Sequence, residues 1–486
     1  MRRAVIYDLL VIGGGINGAG IARDAAGRGL ATLLVERGDL AGATSSASSK
    51  LIHGGLRYLE QLEFRLVAEA LAEREILLRI AAHLAWPLHF VMPHVPELRP
   101  RWMIRIGLFL YDHLARRSVL PASQVVRLDA PPYAAGLQSR LKYGFVYSDC
   151  RVDDARLVVA NALDARRRGA RVMVRTECMG ARRDGALWRA RLSNGEEISA
   201  RAVVNAAGPW VKHVLNERLG QPSRDAVRLV KGSHIVLPRL YEGEHAFIVQ
   251  NDDRRVVFII PFEDRFTLVG TTDVPVNDEQ AAEPTDEEMH YLCAAASRYL
   301  ARAIDLSQVC WRYAGVRPLY DDGSADPSSI TRDYTLRLDH AQGAPPVLSV
   351  FGGKITTYRR LAEQALKKLA PYFPQMKRPW TAAAALPGSE FASRAAAQQE
   401  IFARYHTLPE PLVRAVFRRH GSETPGVLGD GRLGEDYGGG LTERELGYFL
   451  EHEWARSADD VLWRRTKCGL HMNDAQRRRV AEVIGR

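Results

Sequence analysis

The stretch YDLLVIGGGINGAGIARDAAGRGLATLLVERG, residues 7–38, decides how the rest of the chain is read. Val5 to Ile12 is an apolar run that breaks at Gly13-Gly14-Gly15-Ile16-Asn17-Gly18. A helix-compatible segment continues through Ala26, and a second apolar run, Ala31 to Val35, ends on Glu36. Strand, glycine turn, helix, strand and acid, in that order, form a dinucleotide-binding unit. Gly13 permits the tight turn, Gly15 lets the backbone approach a pyrophosphate, and Gly18 seats the helix on the strand. Amide groups at the helix start, with Gly14 and Asn17 among them, face the phosphates, whose charge the helix dipole favours. Glu36 stands where a carboxylate holds a ribose hydroxyl.

Downstream, Thr44-Ser45-Ser46-Ala47-Ser48-Ser49-Lys50 is a run of small hydroxyl residues that leads into Leu51-Ile52-His53-Gly54-Gly55. Small residues placed directly after a dinucleotide unit suit close contact with a large flat cofactor. FAD fits that demand better than a nicotinamide that must depart.

Eight segments in order then carry a resemblance. They are Gly13–Gly20, TSSASSKLIHGGLRYLE (Thr44–Glu60), KGSHIVLP (Lys231–Pro238), VGTTDV (Val269–Val274), GVRPL (Gly315–Leu319), ITRDYT (Ile330–Thr335), SVFGGKITTYR (Ser349–Arg359) and LWRRTKCG (Leu462–Gly469). Together they resemble the FAD-dependent glycerol-3-phosphate dehydrogenases of the respiratory chain, closest to the bacterial membrane-associated type. The resemblance implies an α/β fold of the two-dinucleotide-binding FAD type with an inserted antiparallel substrate sheet and a helical C-terminal domain. It implies oxidation of sn-glycerol 3-phosphate to dihydroxyacetone phosphate, with electrons passed to a membrane quinone. A related oxidase that uses oxygen is the nearest alternative, and a basic flavoprotein acting on RNA is a more distant one.

Composition bounds these readings. A chain of 486 residues exceeds one ordinary domain. Hydrophobic content of 46% with 26% charged residues is that of a globular protein, and no apolar run reaches the roughly 18–20 residues that span a bilayer. Five scattered cysteines form no CxxC pair, so neither a disulfide framework nor a metal site is expected. The net charge of +10 lies entirely before Ser389, since the tail from there carries 15 basic and 15 acidic residues. Excess charge spread over a long chain without a nucleic-acid-binding motif argues against nucleic acid as a partner. A cytoplasmic protein held peripherally at the inner face of the membrane, with an anionic lipid surface as partner, is the expected setting, and a homodimer is compatible with it.

The pattern places helices at Phe64–Ala81, Arg101–Leu120, Ala155–Arg168, Glu287–Ala303 and Thr356–Leu369. A hairpin turns at Asn194-Gly195, and a β-rich region spans Val227 to Val274, with strands Arg228–Pro238, Ala246–Gln250, Val256–Pro261 and Phe266–Thr271. FAD-binding parts are expected near residues 1–75, 150–215 and 345–388, with substrate-binding parts near 76–149 and 216–344. Charged helices follow from 389 to 486, interrupted at Gly426–Gly440, and the domain boundary falls near Gly388. Two segments combine basic residues with an apolar stripe as interfacial helices do: Arg101–Leu120, and Thr356–Leu369 with its Leu361, Ala365, Leu366, Leu369, Lys367 and Lys368.

Oxidising a phosphorylated secondary alcohol needs a base for the hydroxyl proton and a cationic clamp for the phosphate. Arg57, Arg317, Arg332 and Lys354 supply the cations, with Arg317 as principal clamp and Lys354 positioned for phosphate or for charge on the cofactor. His53 and His234 are both candidates for the base, and Tyr58 and Thr272 add hydroxyl contacts. Cofactor contacts are expected from Gly13, Gly14, Gly15, Asn17, Gly18 and Glu36, then from Thr44, Ser45, Ser46, Ser49, Lys50, Leu51, His53 and Gly54. Gly208 and Trp210, after the strand that ends at Asn205, and Gly353, Lys354 and Thr356, at a second glycine turn, complete that set.

Overall fold

β1 (Ile6–Ile12), α1 (Ile16–Gly27) and β2 (Thr32–Val35) form the expected parallel strand–helix–strand unit. The computed structural model describes residues 5–95, 100–116, 119–223, 225–253, 255–321, 333–340 and 343–485. β1 is covered on both faces, which is why Leu9, Leu10 and Val11 are consecutive and all fully buried. It lies between β2 and the strand Glu197–Asn205, both parallel to it. Val347–Phe351 extends the parallel run on one side and Arg171–Met173 on the other. Antiparallel Thr335–Asp339 and the hairpin Cys178–Asp184/Leu187–Leu192 finish this eight-stranded sheet.

α1 packs between the helices Asp154–Arg167 and Tyr358–Leu369. A Cβ on Gly18 would lie 1.9 Å from the Gly13 carbonyl oxygen, and one on Gly20 would lie 2.7 Å from the Tyr358 ring. Only a helix bare at these two positions approaches so closely. Arg23 is buried with it and is neutralised by Asp164 at 2.7 Å.

The second sheet has ten strands and stands on the first as the expected insertion. Ala226–Pro238 pairs along its length with Trp311–Asp321, from Ala226 opposite Asp321 to Val236 opposite Trp311. The sheet is antiparallel except where Ala246 and Phe247 run parallel to Phe90 and Val91. The helix at Asp286–Ser297 stops short of Ala303 and starts from a capping box of Thr285 and Glu288.

Two expectations on helices change. The helix from Arg101 ends at His113, with Leu108 and Tyr111 as its buried residues. The stripe Leu361, Ala365, Leu366 and Leu369 is fully buried in the main core beside α1, so Thr356–Leu369 does not offer its apolar side to lipid. No described helix is long and apolar enough to cross a membrane. The C-terminal part is helical, and its glycine-rich interruption folds into a small hairpin, Asp436–Gly438 with Leu441–Thr442.

Candidate active site

A cavity of about 710 Å³ opens along the C-terminal ends of β1 and β2 and continues beneath the second sheet. Its wall begins at the glycine turn. Gly13 has φ +112°, and a Cβ there would sit 2.5 Å from the Ala206 carbonyl oxygen. At the second turn Gly353 has φ +105°, and a Cβ would sit 2.7 Å from the Asn17 amide. Both conformations disfavour other residues, and both bring the turn into close contact with neighbouring protein atoms.

Glu36 receives the Gly14 amide at 2.6 Å and the Gly38 amide at 2.8 Å. Burial raises its carboxyl above the usual range, and those two amides oppose the rise. Arg37 lies over the Trp210 ring at 4.0 Å. Asn17 donates to the Gly352 carbonyl at 3.1 Å, while its own carbonyl oxygen is buried without a hydrogen-bond partner among the described residues. Ser45 accepts from the Ile16 amide at 3.0 Å, and Thr44 donates to the Val316 carbonyl at 2.6 Å, tying the small-residue loop to both sheets.

Of the residues expected at the cofactor, Gly13, Gly15, Asn17, Glu36, Thr44, Ser45, Ser49, Leu51, His53, Gly208, Trp210, Gly353, Lys354 and Thr356 line this cavity. Five do not. Gly14 braces Glu36, and Gly18 makes the close helix–strand packing. Ser46 turns back to the Ala43 carbonyl at 3.3 Å. Lys50 is buried 3.0 Å from Asp154, because an ammonium withdrawn from water requires an opposite charge. Gly54 donates to the Tyr111 hydroxyl at 2.8 Å, behind the wall.

The expected substrate groups divide in the same way. Lys354 lines the cavity 3.9 Å over the Tyr58 ring, and its ammonium nitrogen is buried without a hydrogen-bond partner among the described residues. Arg317 lines it too, held by Asp273 at 2.6 Å and by the Thr271 hydroxyl at 3.1 Å. His53 lines it beside Phe258, and its backbone meets the Thr356 hydroxyl. His234 lies behind the wall: it is buried, stacked on Tyr313 at 4.8 Å, with Nε2 2.9 Å from the Ser49 hydroxyl. Burial, with help from Arg317 and Lys50, pushes its pKa well below the ordinary histidine value. Thr272 is buried and donates to Glu288 at 2.8 Å, so it braces the sheet rather than facing the cavity. Arg57 follows the turn at Gly55 but does not line the cavity. Arg332 lies outside the described residues.

Two groups of wall residues escaped the sequence reading. Arg175, Thr176, Glu177 and Cys178 follow the short strand after α1's neighbour helix. Ser457, Asp459, Asp460 and Arg464 come from the C-terminal part, where the LWRRTKCG motif includes Arg464 and begins two residues after Asp460.

The wall suits a dinucleotide: glycine backbone at Gly13, Gly15 and Gly353 beside the start of α1, an acid at the end of β2, and, among the described residues, an unpartnered carbonyl oxygen on Asn17. Comparison with known proteins agrees. Residues 8–359 match the family described as FAD dependent oxidoreductase, and residues 380–485 match the C-terminal domain of alpha-glycerophosphate oxidase. A glycerol-3-phosphate dehydrogenase of Pseudomonas aeruginosa is 52% identical over 99% of this chain and 95% of its own. A D-erythritol 1-phosphate dehydrogenase of Brucella abortus is 47% identical over 97% of this chain and 96% of its own. Among solved structures, the glycerol-3-phosphate dehydrogenase from Bacillus halodurans complexed with FAD superposes with a TM-score of 0.71 at 25% identity, covering 99% of this chain and 94% of the other.

Proposed function

This chain belongs to the FAD-dependent glycerol-3-phosphate dehydrogenase family, and we propose that it oxidises sn-glycerol 3-phosphate to dihydroxyacetone phosphate. The observation that carries the substrate reading is Lys354, a buried ammonium on the cavity wall with no hydrogen-bond partner among the described residues. Such a group demands an anion, and a phosphate supplies close to two charges and several acceptor oxygens. Arg317, fixed by Asp273 and Thr271, offers a second cation in one preset orientation.

FAD, when bound, supplies the acceptor for the hydride that leaves the substrate's C2. The chain's part is to hold the phosphate with Lys354 and Arg317 and to take the hydroxyl proton. We assign the proton to His53, which faces the cavity, and give His234 the supporting task of fixing Ser49. The first sheet holds the cofactor and the second closes over the substrate.

We further propose that electrons pass to a membrane quinone, with the protein docked peripherally on the inner face of the cell membrane. The support is the helix Arg101–His113. Trp102, Met103, Ile106 and Phe109 are among its exposed residues, and Arg101 and Arg105 flank them. An apolar face with basic borders suits an anionic lipid surface. Transfer to oxygen is the second reading, favoured by the match of the C-terminal part to an oxidase domain.

Anaerobic addition of glycerol 3-phosphate to the purified protein should bleach its flavin absorbance. Bleaching by erythritol 1-phosphate at lower concentration would reassign the substrate. No bleaching by either would remove the proposal. Peroxide release in air without quinone would favour the oxidase reading.

A further inference from the structure

The C-terminal part reaches into the cofactor cavity through one turn, Ser457–Arg465, at the end where Glu36 and Arg37 stand. The Asp39 carboxylate, buried in the segment just after β2, receives Arg464 Nε at 2.6 Å and both terminal nitrogens of Arg465 at 2.7 Å. Asp460 receives Arg464 and, from the first sheet's side, Arg175 at 2.6 Å. Arg465 is wholly buried, and Asp460 is nearly so.

These pairs connect two needs. The segment that bears Asp39 also carries Glu36 and Gly38, whose contacts shape the cavity wall, and the Ala41 amide returns to the Gly14 carbonyl at 3.1 Å. Pinning Asp39 therefore pins the wall. Asp39 and Asp460 are also carboxylates on the wall of a site that must accept an anionic pyrophosphate. Left unpaired, they would repel it across a low-dielectric gap. The arginines that hold them remove that repulsion.

We infer that Arg464, Arg465 and Arg175 form a latch by which the C-terminal part retains FAD, holding Asp39 and Asp460 neutralised at the end of the cavity where Glu36 and Arg37 stand. The arginines are positioning residues: they act on the cofactor through the two carboxylates. The inference rests on the FAD dependence of the family and not on the identity of the substrate.

Release of FAD after dilution of the holoenzyme, followed by recovery of flavin fluorescence and without substrate, tests the latch. Arg464→Met should release FAD at least about tenfold faster than the parent. Adding Asp460→Asn to that variant should restore most of the retention, because Asp460 is left with the partly exposed Arg175 whereas Asp39 still holds Arg465. A loss of packing alone would leave the double variant as leaky and would lower the melting temperature of the FAD-free protein by the same amount as that of the holoenzyme. If Arg464→Met does not fold, Arg175→Met carries the test, because its side chain is 42% exposed and it pairs with Asp460 alone. It should release FAD several-fold faster. Parent-like release from whichever variant folds, or a double variant without rescue, overturns the latch.

Discussion

At Lys354 the ammonium finds no acceptor among the described residues, since the Tyr58 ring face beneath it offers no hydrogen-bond acceptor of normal strength, and the cavity is where it can meet an anion. Lys354→Met removes that charge with little change in volume. A hydrogen bond to a charged group contributes about 1.5–3 kcal/mol, so kcat/KM for glycerol 3-phosphate should fall by about 10- to 150-fold. Flavin content should stay at the parent level, and steady-state kinetics with an acceptor dye measures the change. Glu36 belongs to the same scale and has two tasks, accepting from Gly14 and Gly38 while offering its remaining lone pairs to the cavity. Glu36→Ala should weaken FAD binding by about 1.5–3 kcal/mol, read by titrating apoprotein with FAD. A parent-like dissociation constant would show that the carboxylate braces the turn only.

Among elements, the two helices that share an amphipathic composition have opposite fates. Tyr358–Leu369 spends its apolar side on α1 and the first sheet, and keeps Lys367 and Lys368 in solvent. Arg101–His113 leaves its apolar side open, with Trp102 63% and Phe109 57% exposed. Removing a large apolar side chain from water stabilises by about 1.5–3 kcal/mol when burial is complete. Ile106→Glu with Phe109→Glu should therefore lower affinity for anionic vesicles about tenfold or more, measured by co-sedimentation, while turnover of a soluble dye persists. Lys367→Glu with Lys368→Glu should leave vesicle binding largely intact, because the stripe beside those charges is core. The reverse result would return the lipid contact to the second helix.

Over the whole molecule, buried ionic groups stitch the C-terminal part to the cofactor-binding part. Arg156 pairs with Glu453 and Arg465 with Asp39 across the two, and within the C-terminal part His420 bonds Glu445 at 2.9 Å and Arg419 bonds the same carboxylate at 2.6 Å. Burial keeps His83, His234 and His420 below the ordinary histidine value. The unfolded chain then binds protons that the folded chain refuses, so their contribution is complete above about pH 6.5 and fades as pH falls. Each such group can cost at most about 1.4 kcal/mol per pH unit. Glu445 acts at lower pH: burial would raise its carboxyl, but Arg419 and His420 bring it to about 2. Its contribution is present above about pH 4.5 and is lost as pH drops towards 2. The melting temperature should fall steadily from pH 7 to 5 and continue down below 4.5, as a calorimetric series would register. A flat profile between pH 7 and 5 would mean that the histidines are protonated in the folded state.

Residues 7–38 by themselves determined the first strand–helix–strand unit and the cofactor class, because a glycine turn, a buried strand and a terminal acid are local features with local physical causes. The β-rich region was legible for the same reason. What periodicity does not contain is the partner of each face. It marks Arg101–His113 and Tyr358–Leu369 as amphipathic alike, and only packing shows which stripe the core consumes. It names His53 and His234 as equal candidates, and only the wall position separates the histidine facing the cavity from the one behind Ser49. It sees Arg464 and Arg465 some 425 residues from Asp39, a separation across which no local pattern speaks. Charge pairing of that kind depends on which surfaces tertiary folding brings within hydrogen-bond reach, and there the tertiary structure alone decided.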